Sequence, residues 1–243
     1  MYIINIHMFW LIPLCLGFAL LCAFLVFRVI QRRVIAVIFK GLVSLMFILT
    51  AFTAYLVSKS PNMLFATLIL LGLFFGLLGD IFLDLKYIIL SKEMTYTILG
   101  FIAFGIGHIF FLTGLFVNFY DYTSSVWYIL IPVIITLVLV VVTLLMEKFS
   151  KIRYQKMKPF VIIYGFILFL TVTMYMSVAI QSRWQVTTVW VMAISLILFA
   201  LSDLILNNTY FAPGFNTPVF IITNHVFYYL AQFGIAMSLL FLI

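Results

Sequence analysis

Eight runs of mostly apolar residues take up nearly the whole chain, and each is about 20 residues long, the length of helix a bilayer core requires. They read as spans at roughly 8–27, 34–57, 62–83, 96–119, 127–146, 159–180, 187–207 and 218–242. In hydrocarbon a spanning segment has to pair its own backbone N–H and C=O groups, so runs of this kind are expected to be helices. The expected fold class is all-α: one polytopic membrane helix bundle of eight transmembrane helices over residues 1–243. Hydrophobic residues make up 67% of the chain and charged residues 8%, against about 45–50% and about 25% in soluble domains. No connecting segment is long enough to fold as a soluble domain, so any chemistry belongs inside the bundle. Its natural substrate is then a lipid or a solute crossing the bilayer.

The net charge of +7 is not a nucleic-acid footprint, because the basic residues fall in short connections, where they set topology. Of the 13 Lys and Arg residues, all but Lys59 and Arg183 lie in or beside the loops after spans one, three and five, from Arg28, Arg32 and Arg33 to Lys151, Lys156 and Lys158. That bias predicts both termini outside and the basic loops in the cytoplasm, with a bacterial inner membrane as the expected location. Cys15 and Cys22 match neither a metal spacing nor a disulfide framework. The first run lacks a basic n-region and a small-residue cleavage site, so it is expected to stay as a span. Pro61, Pro132, Pro159 and Pro218 are placed near helix starts, where proline is tolerated. Trp10, Tyr120, Trp127 and Trp184 cluster at span ends, as interfacial aromatics do.

The stretch Gly72–Asp84 organises the rest. Gly72, Gly76, Asp80 and Asp84 recur every four residues, so on a helix they share one face. The glycines admit a close neighbour, in the bundle or in a dimer. Ionisable residues inside a span are costly and point to function. Gly79-Asp80-Ile-Phe-Leu has a counterpart in Ser202-Asp203-Leu-Ile-Leu, with Asn207 standing where Asp84 follows Asp80. Gly107-His108 has one in Asn224-His225. These matches suggest two parallel four-span repeats, 1–122 and 123–243.

With that topology Asp80, Asp203, Lys40 and His225 come to a similar depth near the cytoplasmic end, and His108 lies nearer the middle. Each also has a plainer reading. Lys40 can snorkel to the headgroups, Asp84 and Asp203 can be solvated at the interface, and the two histidines can be packing residues. Tyr228, Tyr229 and Gln232 continue the face of His225, and Tyr164 and Tyr175 do the same on span six. Two carboxylates in one poorly hydrated pocket do not both stay ionised, which leaves an acid beside a carboxylate. Such a pair suits general-acid catalysis through an oxocarbenium-like cation. No metal site or cofactor is expected: HxxxH and HxxE spacings are absent, as is the Gly-x-Ser-x-Gly elbow of serine lipases.

Taken in order, several patches resemble the lysoplasmalogenase (YhhN-like) family of membrane proteins. They are Lys40 at the start of span two, Gly79-Asp80-Ile-Phe-Leu, and Phe104 with Gly107-His108 and Phe110-Phe111. Pro159, Tyr164, Met174, Met176 and Ala179 follow, then Phe199-Ala-Leu-Ser202-Asp203 and Tyr228-Tyr229-Ala-Gln232. The resemblance covers spans two to eight. The chain departs from the family at Gly41, where proline usually follows the lysine, and His225 is not part of the pattern. The resemblance implies hydrolysis of the vinyl-ether bond of a lysophospholipid, giving a fatty aldehyde and a glycerophospho-ethanolamine or -choline. Asp80 is then expected to donate the proton and Asp203 to be the carboxylate that steadies the cation. His108 would position one of them, and Lys40 would meet the phosphate or tune the pair. Asp84, Ser202, Asn207, Tyr164, Tyr228, Tyr229 and Gln232 are the expected supporting residues. Expected partners are the lysophospholipid substrate and membrane lipids, with the oligomeric state open. Two other classes remain: a proton-coupled transporter of a small molecule or lipid, and a structural protein without chemistry. Full activity in Asp80→Asn would sink the acid assignment.

Overall fold

A computed structural model describes residues 8–59, 62–149 and 152–242. Pro61 and Lys151 lie outside the described residues. The chain is all-helical, with no strand among the described residues. Its helices are α1 (Leu11–Val29), α2 (Arg33–Val57), α3 (Met63–Leu85), α4 (Glu93–Asn118), α5 (Val126–Phe149), α6 (Lys158–Gln181), α7 (Thr187–Phe211) and α8 (Pro218–Met237). All eight are long and apolar enough to cross a membrane. The expected spans match them to within a few residues. The largest differences are at the end of α8, which stops at Met237 and passes into a 3₁₀ turn over Ser238–Phe241, and at the end of α7, where helix continues past the apolar run. That extension keeps Asn207 and Tyr210 on α7.

Local sequence accounts for several helix ends. Asn62 caps α3 by accepting from the Phe65 N–H at 3.0 Å, and Thr217 caps α8 ahead of Pro218. Pro159 stands in the first turn of α6. Pro132 is different: it lies inside α5 rather than at its start. Proline cannot donate to the carbonyl four residues back, which is that of Tyr128. Ser177 of α6 donates to that carbonyl at 3.2 Å instead. Thr136 and Thr173 form a second hydroxyl bridge between the same helices at 2.9 Å. Pro132 and Thr136 are the buried residues of α5, so this helix is a peripheral strut held to α6 by polar pairs in an apolar setting.

Most consecutive helices pack as neighbours, α3 with α4 and α7 with α8 most extensively, but α4 packs on α6 rather than on α5. Glycine sets the α3–α4 approach. A Cβ on Gly107 would stand 2.9 Å from the backbone oxygen of Gly72, and one on Gly79 would stand 2.7 Å from the Phe104 ring. Gly72 lies against Phe111 of α4 and Gly76 against Gln232 of α8, so the α3 glycine stripe serves packing within this bundle. At one end of the bundle the inter-helix connections meet. Arg33 donates to the Tyr87 carbonyl at 3.2 Å, Lys86 lies over the Tyr210 ring, and the Arg153 N–H donates to the Phe211 carbonyl at 2.9 Å. The polar site lies toward this end.

Candidate active site

Gly72, Gly76, Asp80 and Asp84 are all buried on one face of α3, as their spacing requires. The two carboxylates meet cations from the two preceding helices. Lys40 of α2 places Nζ 3.2 Å from Asp80 Oδ1 and 3.1 Å from Asp84 Oδ1. Arg28, in the last turn of α1, closes an ion pair with the same Asp84 oxygen. The result is an alternating chain, Arg28–Asp84–Lys40–Asp80, with two charges of each sign. Buried charges persist when paired and hydrogen-bonded, and Asp80 is also well supplied with hydroxyls. Ser44, one turn beyond Lys40, lies 2.6 Å from Asp80 Oδ2. Tyr228 of α8 donates to the same oxygen at 2.7 Å, and Gln232 donates to the Tyr228 hydroxyl at 2.9 Å. Tyr229 stands 3.4 Å from Ser44 Oγ.

Asp203 lives in a different setting. It is half-buried on α7, and Tyr164 of α6 donates to its Oδ2. Ser202 Oγ lies 3.4 Å from Oδ1 but has a better acceptor in the Phe199 carbonyl at 2.8 Å. Among the described residues no cation pairs with Asp203. The two aspartates nevertheless line one small cavity of about 20 Å³, together with Lys40, Phe104, Asn224, His225 and Tyr228. That volume has room for a water molecule. Asn224 closes one wall by donating to the Ser202 carbonyl at 2.6 Å.

Two further cavities adjoin it. A basic vestibule of about 160 Å³ is lined by Arg28, Arg33, Asp84, Asn216, Asn224 and His225. An apolar groove of about 50 Å³ ends on Asp203 and Tyr164, with Phe101, Leu168, Phe169 and Ala200 as walls. Phe101 stacks on Tyr164 with ring centroids 5.4 Å apart. His225 stands where the vestibule meets the acid cavity. Its Nδ1 lies 2.7 Å from the Ile221 carbonyl; a carbonyl only accepts, so Nδ1 carries a proton.

The expected residues separate into three groups. Lys40, Asp80, Asp84, Tyr228, Tyr229 and Gln232 form one hydrogen-bonded cluster. Asp203, Ser202 and Tyr164 form a second that shares its cavity. Asn207 joins neither, because it donates to the Tyr154 hydroxyl at 2.9 Å, although it lines the groove below Asp203. His108 makes no bond to a carboxylate. It is 1% exposed, both ring nitrogens lack hydrogen-bond partners among the described residues, and its ring packs among Phe111, Tyr164 and Phe199. Sequence reasoning missed Arg28, Ser44 and Asn224 as site residues. Arg28 was counted only as a topology signal, although it ends its helix at the depth of Asp84. Ser44 follows Lys40 by four, the same spacing that marked Asp84 after Asp80. Among the described residues no group of three or more His, Cys, Asp or Glu side chains is placed to hold a metal ion.

A family model described as the YhhN family matches residues 35–239. The match takes in α3 to α8 whole and all of α2 but its first turn, and leaves Arg28 before its start. No curated protein and no solved structure matches the chain.

Proposed function

Because the chain belongs to the YhhN family, which is the family of lysoplasmalogenases, we propose that it hydrolyses the vinyl-ether bond of a lysoplasmalogen. One observation carries the mechanism: two carboxylates line a single water-sized cavity, and only one of them has a cation. Asp80 has Lys40 and two hydroxyls against it, so it stays the carboxylate. Asp203 has a tyrosine hydroxyl and no cation, so it carries the proton. This division is the reverse of the one expected from sequence, and the ion pair of Lys40 with Asp80 is what supports it.

Asp203 then protonates the vinyl carbon remote from the ether oxygen, leaving an oxocarbenium ion that Asp80 faces and steadies. Water adds to the cationic carbon and its surplus proton returns to Asp203. The hemiacetal breaks its bond to the glycerol oxygen, which takes up the hydroxyl proton, and a fatty aldehyde leaves. General-acid catalysis of this kind contributes about 10²–10⁴-fold. The apolar groove that ends on Asp203 suits the hydrocarbon chain. The basic vestibule suits a phosphate, since Arg28 Nε is buried without a partner and Arg33 stands beside it. Lys40, shared by two carboxylates, is a tuning residue in this reading. By the charge bias of the loops the vestibule opens to the cytoplasm.

The test is aldehyde release from a lysoplasmalogen by purified protein in heavy water. The expected product carries one deuterium on the carbon next to the aldehyde, and Asp203→Asn releases aldehyde at least about 10²-fold more slowly. Release without deuterium would exclude protonation at carbon. No release from ethanolamine or choline substrates would move the protein toward proton-coupled transport, to be checked by proton flux in vesicles.

A further inference from the structure

Lys86 is a buried cation that the acid network leaves out. It follows the last residue of α3 and is 5% exposed. Among the described residues no carboxylate lies within ion-pair distance of its Nζ. The nitrogen instead lies 3.0 Å from the centroid of the Tyr210 ring and 5.0 Å from that of Tyr87. It also lines a cavity of about 390 Å³ whose other walls include Leu90, Met94, Met157 and Phe211, within the size range of small-molecule sites. Tyr210 lines this cavity, the vestibule and the acid cavity alike, so one side chain separates Lys86 from the proposed site of reaction.

We infer that Lys86 captures a long-chain aldehyde, its Nζ condensing with the carbonyl to form a Schiff base in this mostly apolar cavity. The amine nitrogen attacks the carbonyl carbon, and the carbinolamine then loses its hydroxyl as water. One amine proton passes to the oxygen as the C–N bond forms, the hydroxyl takes a proton from solvent as it leaves, and nitrogen returns its remaining proton to solvent or to the Glu93 carboxylate, which lines the same cavity. A C=N bond replaces C=O, no electrons change hands, and water reverses the step.

Lysine is the residue type for this chemistry, because its amine loses its charge readily when buried. Burial lowers Lys86 to about 7; Glu93 and Asp84 oppose the shift, while Lys40 and Arg28 reinforce it. Near neutrality about half of it is free amine, on the order of a thousandfold more than in a solvated lysine. The cavity walls select the occupant: thioethers and aliphatic side chains suit an alkyl tail. The source of the aldehyde rests on the hydrolase reading, whereas the reactivity of Lys86 does not. An adduct lifts Nζ off Tyr210 and disturbs a wall of the acid cavity, so accumulated product slows turnover.

The experiment adds hexadecanal and sodium cyanoborohydride to the purified full-length protein at pH 7 and maps N-alkylation by peptide mass spectrometry. Lys86 is expected to be labelled at least about tenfold above the exposed Lys92 and Lys156, with labelling rising from pH 6 to 8 as the amine deprotonates. Propanal should show no such preference, and Lys86→Arg should remove the preferred site. Equal labelling of Lys92, or a Lys86 profile that rises only above pH 9, would overturn the inference. The aldehyde is supplied, so labelling without lysoplasmalogen hydrolysis would fail the proposed reaction alone. Hydrolysis without labelling would fail this inference alone.

Discussion

At the scale of single residues, Lys40, Asp80, Asp203 and His108 are set apart by the partners that packing gives them. Lys40 and Asp80 are a buried pair, and removing one partner of such a pair costs about 3–5 kcal/mol. Lys40→Met is therefore expected to lower the unfolding midpoint in detergent sharply, and adding Asp80→Asn should recover part of the loss. Identical midpoints for the single and double variants would show that the pair is not coupled. Asp203 has no such pairing, so Asp203→Asn should leave stability nearly unchanged while lowering activity by about 10²-fold or more. His108 gives the opposite pattern. A buried, unpartnered polar group costs about 1–3 kcal/mol, so His108→Leu should hold or raise the melting temperature with most aldehyde release retained. Its loss of activity with intact stability would restore a positioning role for this histidine.

At the scale of helices, glycine decides how closely α3 and α4 approach. A methyl on Gly107 meets a backbone oxygen that cannot rotate away. Gly107→Ala should thus destabilise by about 1–3 kcal/mol, the usual cost of overpacking. Gly41 has nothing within 4 Å of its would-be Cβ. There alanine only removes backbone freedom, and Gly41→Ala should stabilise α2 by about 0.5–1 kcal/mol. Thermal unfolding of both variants checks the contrast. The position where the family usually carries proline is thus sterically open here. The α5–α6 contact shows another use of polar groups, since Ser177 satisfies the carbonyl that Pro132 leaves free.

At the scale of the whole molecule, the basic end of the bundle holds the vestibule, the acid cavity and Lys86. The charge bias predicts that this end faces the cytoplasm. Cys15 and Cys22 are exposed on α1, so the check starts from a variant lacking both. A cysteine at position 59 should then react with an impermeant maleimide in intact cells, and one at position 92 only after permeabilisation. The reverse pattern would turn the bundle over and put the vestibule outside. The vestibule also predicts a kinetic effect: Arg33→Gln should raise KM for the phosphate-bearing substrate more than it lowers kcat. A KM unchanged in this variant would place the headgroup elsewhere.

The eight spans, the shared face of Gly72, Gly76, Asp80 and Asp84, and the membrane fold were legible from sequence, because hydrocarbon length and helical periodicity act locally. Asp80 and Asp203 stood out in the sequence as candidates for a related reason, that charge inside a span is costly enough to need a purpose, and the fold brings both to one cavity. The division of labour proposed for them was not legible there, because it rests on which helix brings a cation. Arg28 and Lys40 reach α3 from helices whose rotation only the packed bundle sets. His108 and Asn207 looked like site residues by position and were turned by packing toward an aromatic cluster and toward Tyr154. Lys86 read as a topology charge until Tyr210, more than a hundred positions along the chain, was folded over it. Local periodicity and hydropathy are written in neighbouring residues, whereas ion pairing is settled by long-range contacts between helices, and those exist only in the tertiary structure.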